Sequence, residues 1–275
     1  MSRIPLAGIV GTPVDRSPAP RLFAHWLRVQ GLNGHYVPLD IAPDVLESCL
    51  RRLPDLGFLG VNVTAPYKEK VMGIADLISD RATLIGAANV LIFREDGRIH
   101  ADNTDGYGFI QNVRQTVPNW VPHAGPALVF GAGGAARAVI ASLIDVGVPE
   151  IRLTNRTRIR ADRLREEFGH RVKVHDWVQA GNLIEGCATV VNTTSLGMAG
   201  KPPFRVPLDG LRRGMVVTDT VYTPLKTRLL EEAAARGCSV VDGLGMLLHQ
   251  AVPGFERWFG QRPQVDADTR DAVMA

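Results

Sequence analysis

"ALVFGAGGAARAVIASLIDVG", residues 127–147, decides the fold. It opens on an unbroken apolar run of strand length and closes on apolar residues at helical spacing. Between the two, Gly131-x-Gly133-x-x-Ala136 matches the dinucleotide fingerprint in its G-x-G-x-x-A form. The glycines allow a tight turn and let backbone N–H groups approach a pyrophosphate at the positive end of the helix. Gly131, Ala132, Gly133, Gly134 and Ala135 are the candidates for that contact. A Gly-rich run alone serves many turns; the strand before it and the helix after it make this one specific.

Downstream, "IRLTN", "VKVHD", "ATVVNTT", "MVVTDTVY" and "CSVVDG" alternate with helical stretches such as "PLKTRLLEEAAARG". The pattern predicts an α/β doubly wound parallel sheet. The second strand also discriminates between cofactors. An NAD site usually ends it with an acidic residue on the ribose 2′-hydroxyl, whereas Arg accommodates a 2′-phosphate. Here it ends in Asn155 and Arg156, followed by Thr157 and Arg160. Cations at a helix start oppose the macrodipole unless an anion arrives, so NADP is expected over NAD.

Upstream, "PLAGIVG", "HYVPLDI" and "FLGVNVT" read as strands, and "APRLFAHWLRVQG" and "DVLESCLRRL" as helices. "PYKEKVMGIADLI" is also expected to be helical, with Thr64 as its cap and Pro66 initiating it. That would put Lys68 in a first helical turn, where the positive helix end and any burial lower a lysine's pKa towards acid–base duty. A surface Lys offset by Glu69 is the plain alternative. "ANVLIFREDGRIHA" has the signature of a hairpin around Glu95-Asp96-Gly97. The "DNTDGYGF" stretch after it is rich in turn and cap formers, so Asp105 reads on its own as a helix cap or as a reactive carboxylate. The last segment, "GMLLHQAVPGFERWFG" and beyond, is helical with no further strand, and could pack back on the first domain.

Composition sets the outer bounds. With 275 residues, 45% hydrophobic and 21% charged, the chain suits two domains of a globular protein. A net charge of +3 is too mild to suggest nucleic acid. Cys49, Cys187 and Cys238 lack any CxxC spacing, and the histidines lack ligand spacing, so neither a disulfide framework nor a metal is expected. The N-terminal apolar run is short and broken by Pro5 and Gly8, which points away from a membrane span and towards the cytoplasm.

In order along the chain come "GTPVDRSPAP", "NVTAPYK", "GAANVL", "DNTDGYGF", "GAGGAARA", "NRT", "NTTSLGM", "VYTPLKTRLL" and "DGLGMLLHQA". Together they resemble the shikimate dehydrogenase family over essentially the whole chain. The resemblance implies a substrate-binding lobe at residues 1–105 completed by helices at 244–275, and a Rossmann NADP-binding lobe at 106–243. It places Lys68 and Asp105 on the family's catalytic pair, with Asp105 holding the ammonium and accepting a substrate hydroxyl. Ser17, Asn62, Thr64, Asn89, Tyr222 and Gln250 match substrate-contacting positions. Gly243 and Met246 match positions near the nicotinamide, and Thr193 falls in the cofactor-side "NTTSLGM". The implied reaction is reversible hydride transfer between NADP(H) and a small ring hydroxy acid, shikimate in the typical member, by a monomer or homodimer.

The chain departs from the family at Ser17-Pro18-Ala19-Pro20, where a second Ser is usual at position 19, and at Phe23 and Ala24, where His and Asn are common. The departures lie on the substrate side, which leaves quinate, an amino-substituted analogue or another ring acid open as substrate. Alternatively Arg16 or Arg21 now supplies the charge for an unchanged substrate. A non-catalytic NADP-binding descendant is a further alternative, against which the intact Lys68 and Asp105 argue.

Overall fold

A computed structural model describes residues 4–15 and 17–274. The chain forms two compact units, one of residues 1–104 with 248–275 and one of residues 105–247.

The first unit runs β1 (Leu6–Gly11), α1 (Ala19–Val29), β2 (His35–Asp40), α2 (Leu46–Arg52), β3 (Phe58–Val63), β4 (Leu77–Ile78), α3 (Asp80–Ile85), β5 (Val90–Phe93) and β6 (Ile99–Asp102). Its sheet has the order β2-β1-β3-β5-β6-β4. β1 lies parallel to β2 and β3, whereas β5 is antiparallel to β3 and β6. β5 and β6 are the expected hairpin, turned by Gly97 at φ 80°. Val10, Leu46, Leu50, Val61, Leu91 and Ile99 form the centre of its core.

The segment expected to be helical over 66–78 is not. It makes turns, a single 3-10 turn at Lys70–Gly73, and then β4, which pairs with His100–Ala101 of β6. Tyr67, Val71 and Ile74 are buried at helix-like spacing. The apolar period therefore marks the buried face correctly but not the backbone form. Gly73 weakens a helix there, and sheet pairing satisfies the backbone that follows.

The second unit begins with α4 (Asp105–Thr116) and continues through β7 (Ala127–Phe130), α5 (Gly134–Asp145), β8 (Ile151–Thr154), α6 (Arg158–Phe168), β9 (Val172–His175), β10 (Thr189–Asn192), β11 (Val216–Asp219), α7 (Arg228–Ala235) and β12 (Ser239–Val241). The sheet order is β12-β11-β10-β7-β8-β9, parallel throughout. Renumbered from β7, this is the doubly wound order 3-2-1-4-5-6 of a Rossmann fold. Its central strands β7, β10 and β11 are buried at every residue and so read as near-continuous apolar runs.

The chain ends in α8 (Gly243–Phe259) and α9 (Ala267–Met274). From residue 248 onwards these helices belong to the first unit. Phe255, Trp258 and Phe259 of α8 join Phe23, Trp26 and Tyr36 in one aromatic cluster. Trp26 Nε1 donates to Gln264 O at 3.1 Å and to Thr269 Oγ1 at 3.3 Å, tying α1 to the approach and first turn of α9. Phe23, at a position where the family commonly has His, is fully buried and stacks on Tyr36 with ring centroids 3.7 Å apart. Packing accounts for this departure.

No helix of the described residues is long and apolar enough to cross a membrane.

Candidate active site

In the first unit, polar side chains gather where β3 and β5 meet. Antiparallel pairing sets Asn62 against Val90, which brings Asn89 beside the end of β3. Asn62 Nδ2 donates to Asn89 O at 3.2 Å, and Tyr36 Oη donates to Asn62 Oδ1 at 2.8 Å. Burial raises the Tyr36 phenol well above its ordinary pKa, so it stays a donor. These two partners orient the amide and leave the second Nδ2 hydrogen of Asn62 for a ligand. Asn89, 3% exposed, bonds Thr104 through both ends of its amide: Thr104 N donates to Oδ1 at 2.8 Å and Nδ2 donates to Thr104 Oγ1 at 3.0 Å. Thr104 Oγ1 also donates to Gln250 O at 2.8 Å. Asn62, Asn89, Thr104 and the Gln250 backbone are thus one network, and it fixes the residue immediately before Asp105.

Thr64 and Lys68 follow β3. Lys68 lies in a turn anchored by Ala88 N donating to Lys68 O at 2.8 Å, one residue from Asn89. It is not in a helical first turn, so the helix-end argument for tuning it does not apply. Asp105 is the first residue of α4 and 3% exposed. There a carboxylate is favoured by the helix dipole, and the capping position falls to Thr104. Ser17 Oγ accepts from Ala19 N at 3.3 Å at the start of α1. Ala19 is the first residue of that helix, Arg21 is exposed, and Arg16 lies outside the described residues.

In the second unit, the fingerprint loop follows β7 at the carboxyl end of the sheet. Gly131 takes φ 108°, and a Cβ there would come within 2.7 Å of Thr193 Oγ1. Thr193 N and Oγ1 both donate to Phe130 O, at 2.9 and 2.6 Å, locking the loop after β10 against the loop after β7. This is the point where the strand order reverses, and where such sheets bind ligands. A Cβ on Gly133 or Gly134 would meet nothing within 4 Å, so the loop is open to a pyrophosphate at these glycines, between the half-buried Ala132 and Ala135. Ala136 is buried and packs the helix on the sheet. After β8, Asn155 Nδ2 donates to Thr157 O at 2.8 Å, and Arg156 and Arg160 are exposed. An open glycine cradle with free-standing cations beyond the second strand fits NADP.

Gly243 and Met246 have packing roles of their own. A Cβ on Gly243 would lie 2.5 Å from Thr220 O, and Met246 sits in the core of the second unit. Asp219 is a residue that strand periodicity hides. It is 1% exposed and accepts from Asn192 Nδ2 (2.9 Å), Val221 N (3.0 Å) and Thr227 Oγ1 (2.8 Å). Burial raises its pKa. An Asp inside the apolar "MVVTDTVY" was the available signal. It ties the loop carrying Thr193 to the loop carrying Tyr222, whose phenol is likewise raised by burial.

His249, next to Gln250, makes stability pH-dependent. Burial, then the charges of Arg270 and Arg262, lower it from 6.5 to about 4. Between those values the unfolded chain binds a proton that the folded chain refuses, so stability rises with pH across this window. The contribution is full above about 6.5 and lost as pH falls through about 4, of order 3 kcal/mol at most. Urea midpoints recorded across that window should drop as the pH is lowered, and His249→Gln should flatten the slope.

These features define a dinucleotide-dependent oxidoreductase built from two α/β units. The chain belongs to the shikimate dehydrogenase family. The model for the shikimate dehydrogenase substrate-binding domain matches residues 9–91, that for shikimate/quinate 5-dehydrogenase residues 121–197, and that for the shikimate 5-dehydrogenase C-terminal domain residues 243–270. A relative in Cereibacter sphaeroides (strain KD131), named shikimate dehydrogenase (NADP(+)), is 65% identical over 100% of this chain and 99% of its own. The Thermus thermophilus shikimate 5-dehydrogenase solved with NADP(H) and shikimate superposes with a TM-score of 0.86 at 34% identity over 98% of each chain. The Corynebacterium glutamicum quinate dehydrogenase solved with NAD gives 0.90 at 30% identity over 98% of each chain. Backbone shape therefore does not separate the two substrates or the two cofactors.

Proposed function

We propose that this chain is an NADP-dependent shikimate dehydrogenase, interconverting shikimate and 3-dehydroshikimate. The observation that carries the cofactor choice is Arg156 in place of an acidic residue beyond β8; the substrate is carried by the level of identity to relatives named for it. The chain works in the cytoplasm on a small-molecule ring hydroxy acid, as a monomer or homodimer.

When bound, NADPH supplies the hydride for the ring carbonyl. Reduction develops negative charge on the carbonyl oxygen, which a positioned cation stabilises. Lys68 Nζ has this role: it gives a proton to that oxygen and recovers one from solvent, and in the oxidative direction it takes the proton back. Asp105 accepts a hydrogen bond from the neighbouring substrate hydroxyl. Asn62 presents its remaining amide hydrogen, and Ser17, Thr64, Asn89, Tyr222 and Gln250 complete the substrate contacts. Gly131 to Ala135, Asn155, Arg156, Thr157, Arg160, Thr193, Gly243 and Met246 serve the cofactor.

Adding shikimate and NADP to the purified protein and following NADPH formation tests the reading; no turnover of any ring hydroxy acid would contradict it. Two variants refine it. Tyr36→Phe keeps the stack on Phe23 but removes the donor to Asn62 Oδ1. It should raise KM for shikimate roughly three- to tenfold, with a smaller change in kcat, because the amide then loses its fixed orientation. Ala19→Ser restores the hydroxyl common in the family and should lower KM for shikimate by up to about tenfold, leaving kcat little changed. An unchanged KM in Ala19→Ser would mean that another group already holds the carboxylate.

A further inference from the structure

Residues 220–227 join β11 to α7 and carry Tyr222. The stretch forms neither helix nor strand, so its course is set by contacts at its ends. Asp219, the last residue of β11, grips both ends. Its Oδ1 accepts from Val221 N at 3.0 Å, and its Oδ2 accepts from Thr227 Oγ1 at 2.8 Å. Thr227 in turn caps α7 by accepting from Leu230 N. The same carboxylate reaches the loop after β10: Asn192 Nδ2 donates to Asp219 Oδ1 at 2.9 Å and to Leu196 O at 3.3 Å, which engages both amide hydrogens. Two backbone bonds that flank Tyr222 in sequence join these loops, Thr220 N donating to Asn192 O at 2.9 Å and Ala199 N to Thr223 O at 2.8 Å. Asp219, Asn192 and Thr227 are all fully buried, so water does not stand in for any of these partners. Tyr222 differs from them. It is half-buried, and its hydroxyl has no hydrogen-bond partner among the described residues.

We infer that Asp219 is a positioning residue for the reaction, holding residues 220–227 in the course that presents the Tyr222 hydroxyl to the substrate. A buried carboxylate costs solvation that apolar packing would not, and what it supplies here is direction, because each of its three bonds fixes one point of two neighbouring loops. The inference rests on the reading of Tyr222 as a substrate contact. It adds a residue that acts on shikimate without touching it.

The test is a double-mutant cycle on the full chain, with kcat and KM for shikimate measured at saturating NADP. Asp219→Asn keeps an acceptor for Asn192 and Val221 but sets an amide N–H against Thr227 Oγ1, which loosens the far end of the loop. It should raise KM about fivefold and leave kcat within about twofold, since a grip of equal strength in ground and transition states shows in KM alone. Tyr222→Phe keeps the ring and removes the hydroxyl. In that background Asp219→Asn should change KM by less than about twofold, because the group it positions is gone. Thr227→Val deletes the same hydrogen bond from the other side and should repeat the pattern, whereas Thr227→Ser should restore normal KM; this pair carries the test if Asp219→Asn does not fold. An unchanged KM in Asp219→Asn, or an equal rise with and without the Tyr222 hydroxyl, would overturn the inference, the second by showing a general structural role. If Tyr222→Phe itself leaves KM unchanged, the substrate reading of Tyr222 fails and the inference falls with it. If Tyr222→Phe raises KM but the two effects simply add, only the inference fails. No turnover by the unchanged protein would overturn both.

Discussion

Lys68→Ala is expected to lower kcat for shikimate oxidation by at least about a hundredfold while leaving NADPH affinity within about twofold. Lys68 lies after β3 in the first unit, in the turn anchored by Ala88 N, whereas the nucleotide cradle at Gly131 to Ala135 belongs to the second. The loss should therefore fall on the chemical step and not on the cofactor. Stopped-flow absorbance for turnover, with NADPH fluorescence for binding, measures both. Near-normal turnover would remove Lys68 from the mechanism. A variant with weakened NADPH binding and normal kcat would move it to the cofactor side.

The second large effect is on selectivity. Arg156→Asp should reduce kcat/KM with NADP by roughly two to three orders of magnitude and change kcat/KM with NAD by no more than a few fold. The substitution removes charge-assisted hydrogen bonds and sets a carboxylate against the 2′-phosphate, but NAD has only a hydroxyl at that place. Its ribose hydroxyls gain an acceptor instead. Parallel decline with both cofactors would show that Arg156 supports the fold and does not read the phosphate.

Much of the second unit was legible because its physics is local. A parallel sheet covered on both faces writes its central strands as apolar runs, and the fingerprint fixes which run comes first. Arg156 stands at the end of the next strand, a position the fingerprint itself locates. The first unit was harder. Tyr67, Val71 and Ile74 have the spacing of a helix face, and burial alone cannot distinguish a helix from a chain of turns that covers the same core. Lys68 is accordingly anchored by the Ala88 backbone and not by a helix end.

Residues that work through long-range contacts left little local trace. Tyr36 looks like any strand aromatic; only the registers of β2 and β3 on either side of β1 and the stack on Phe23 make it the donor that orients Asn62. Phe23 appeared as a substrate-side departure from the family, yet it fills the aromatic cluster that the C-terminal helices complete. Such roles depend on which distant segment arrives, and that is set by the tertiary fold.

The most direct measurement is kcat/KM for the four combinations of shikimate or quinate with NADP or NAD, on one preparation of the protein. The account predicts that shikimate with NADP exceeds every other pair by about tenfold or more. A preference for quinate with NAD, the pair that the backbone shape equally allows, would contradict it.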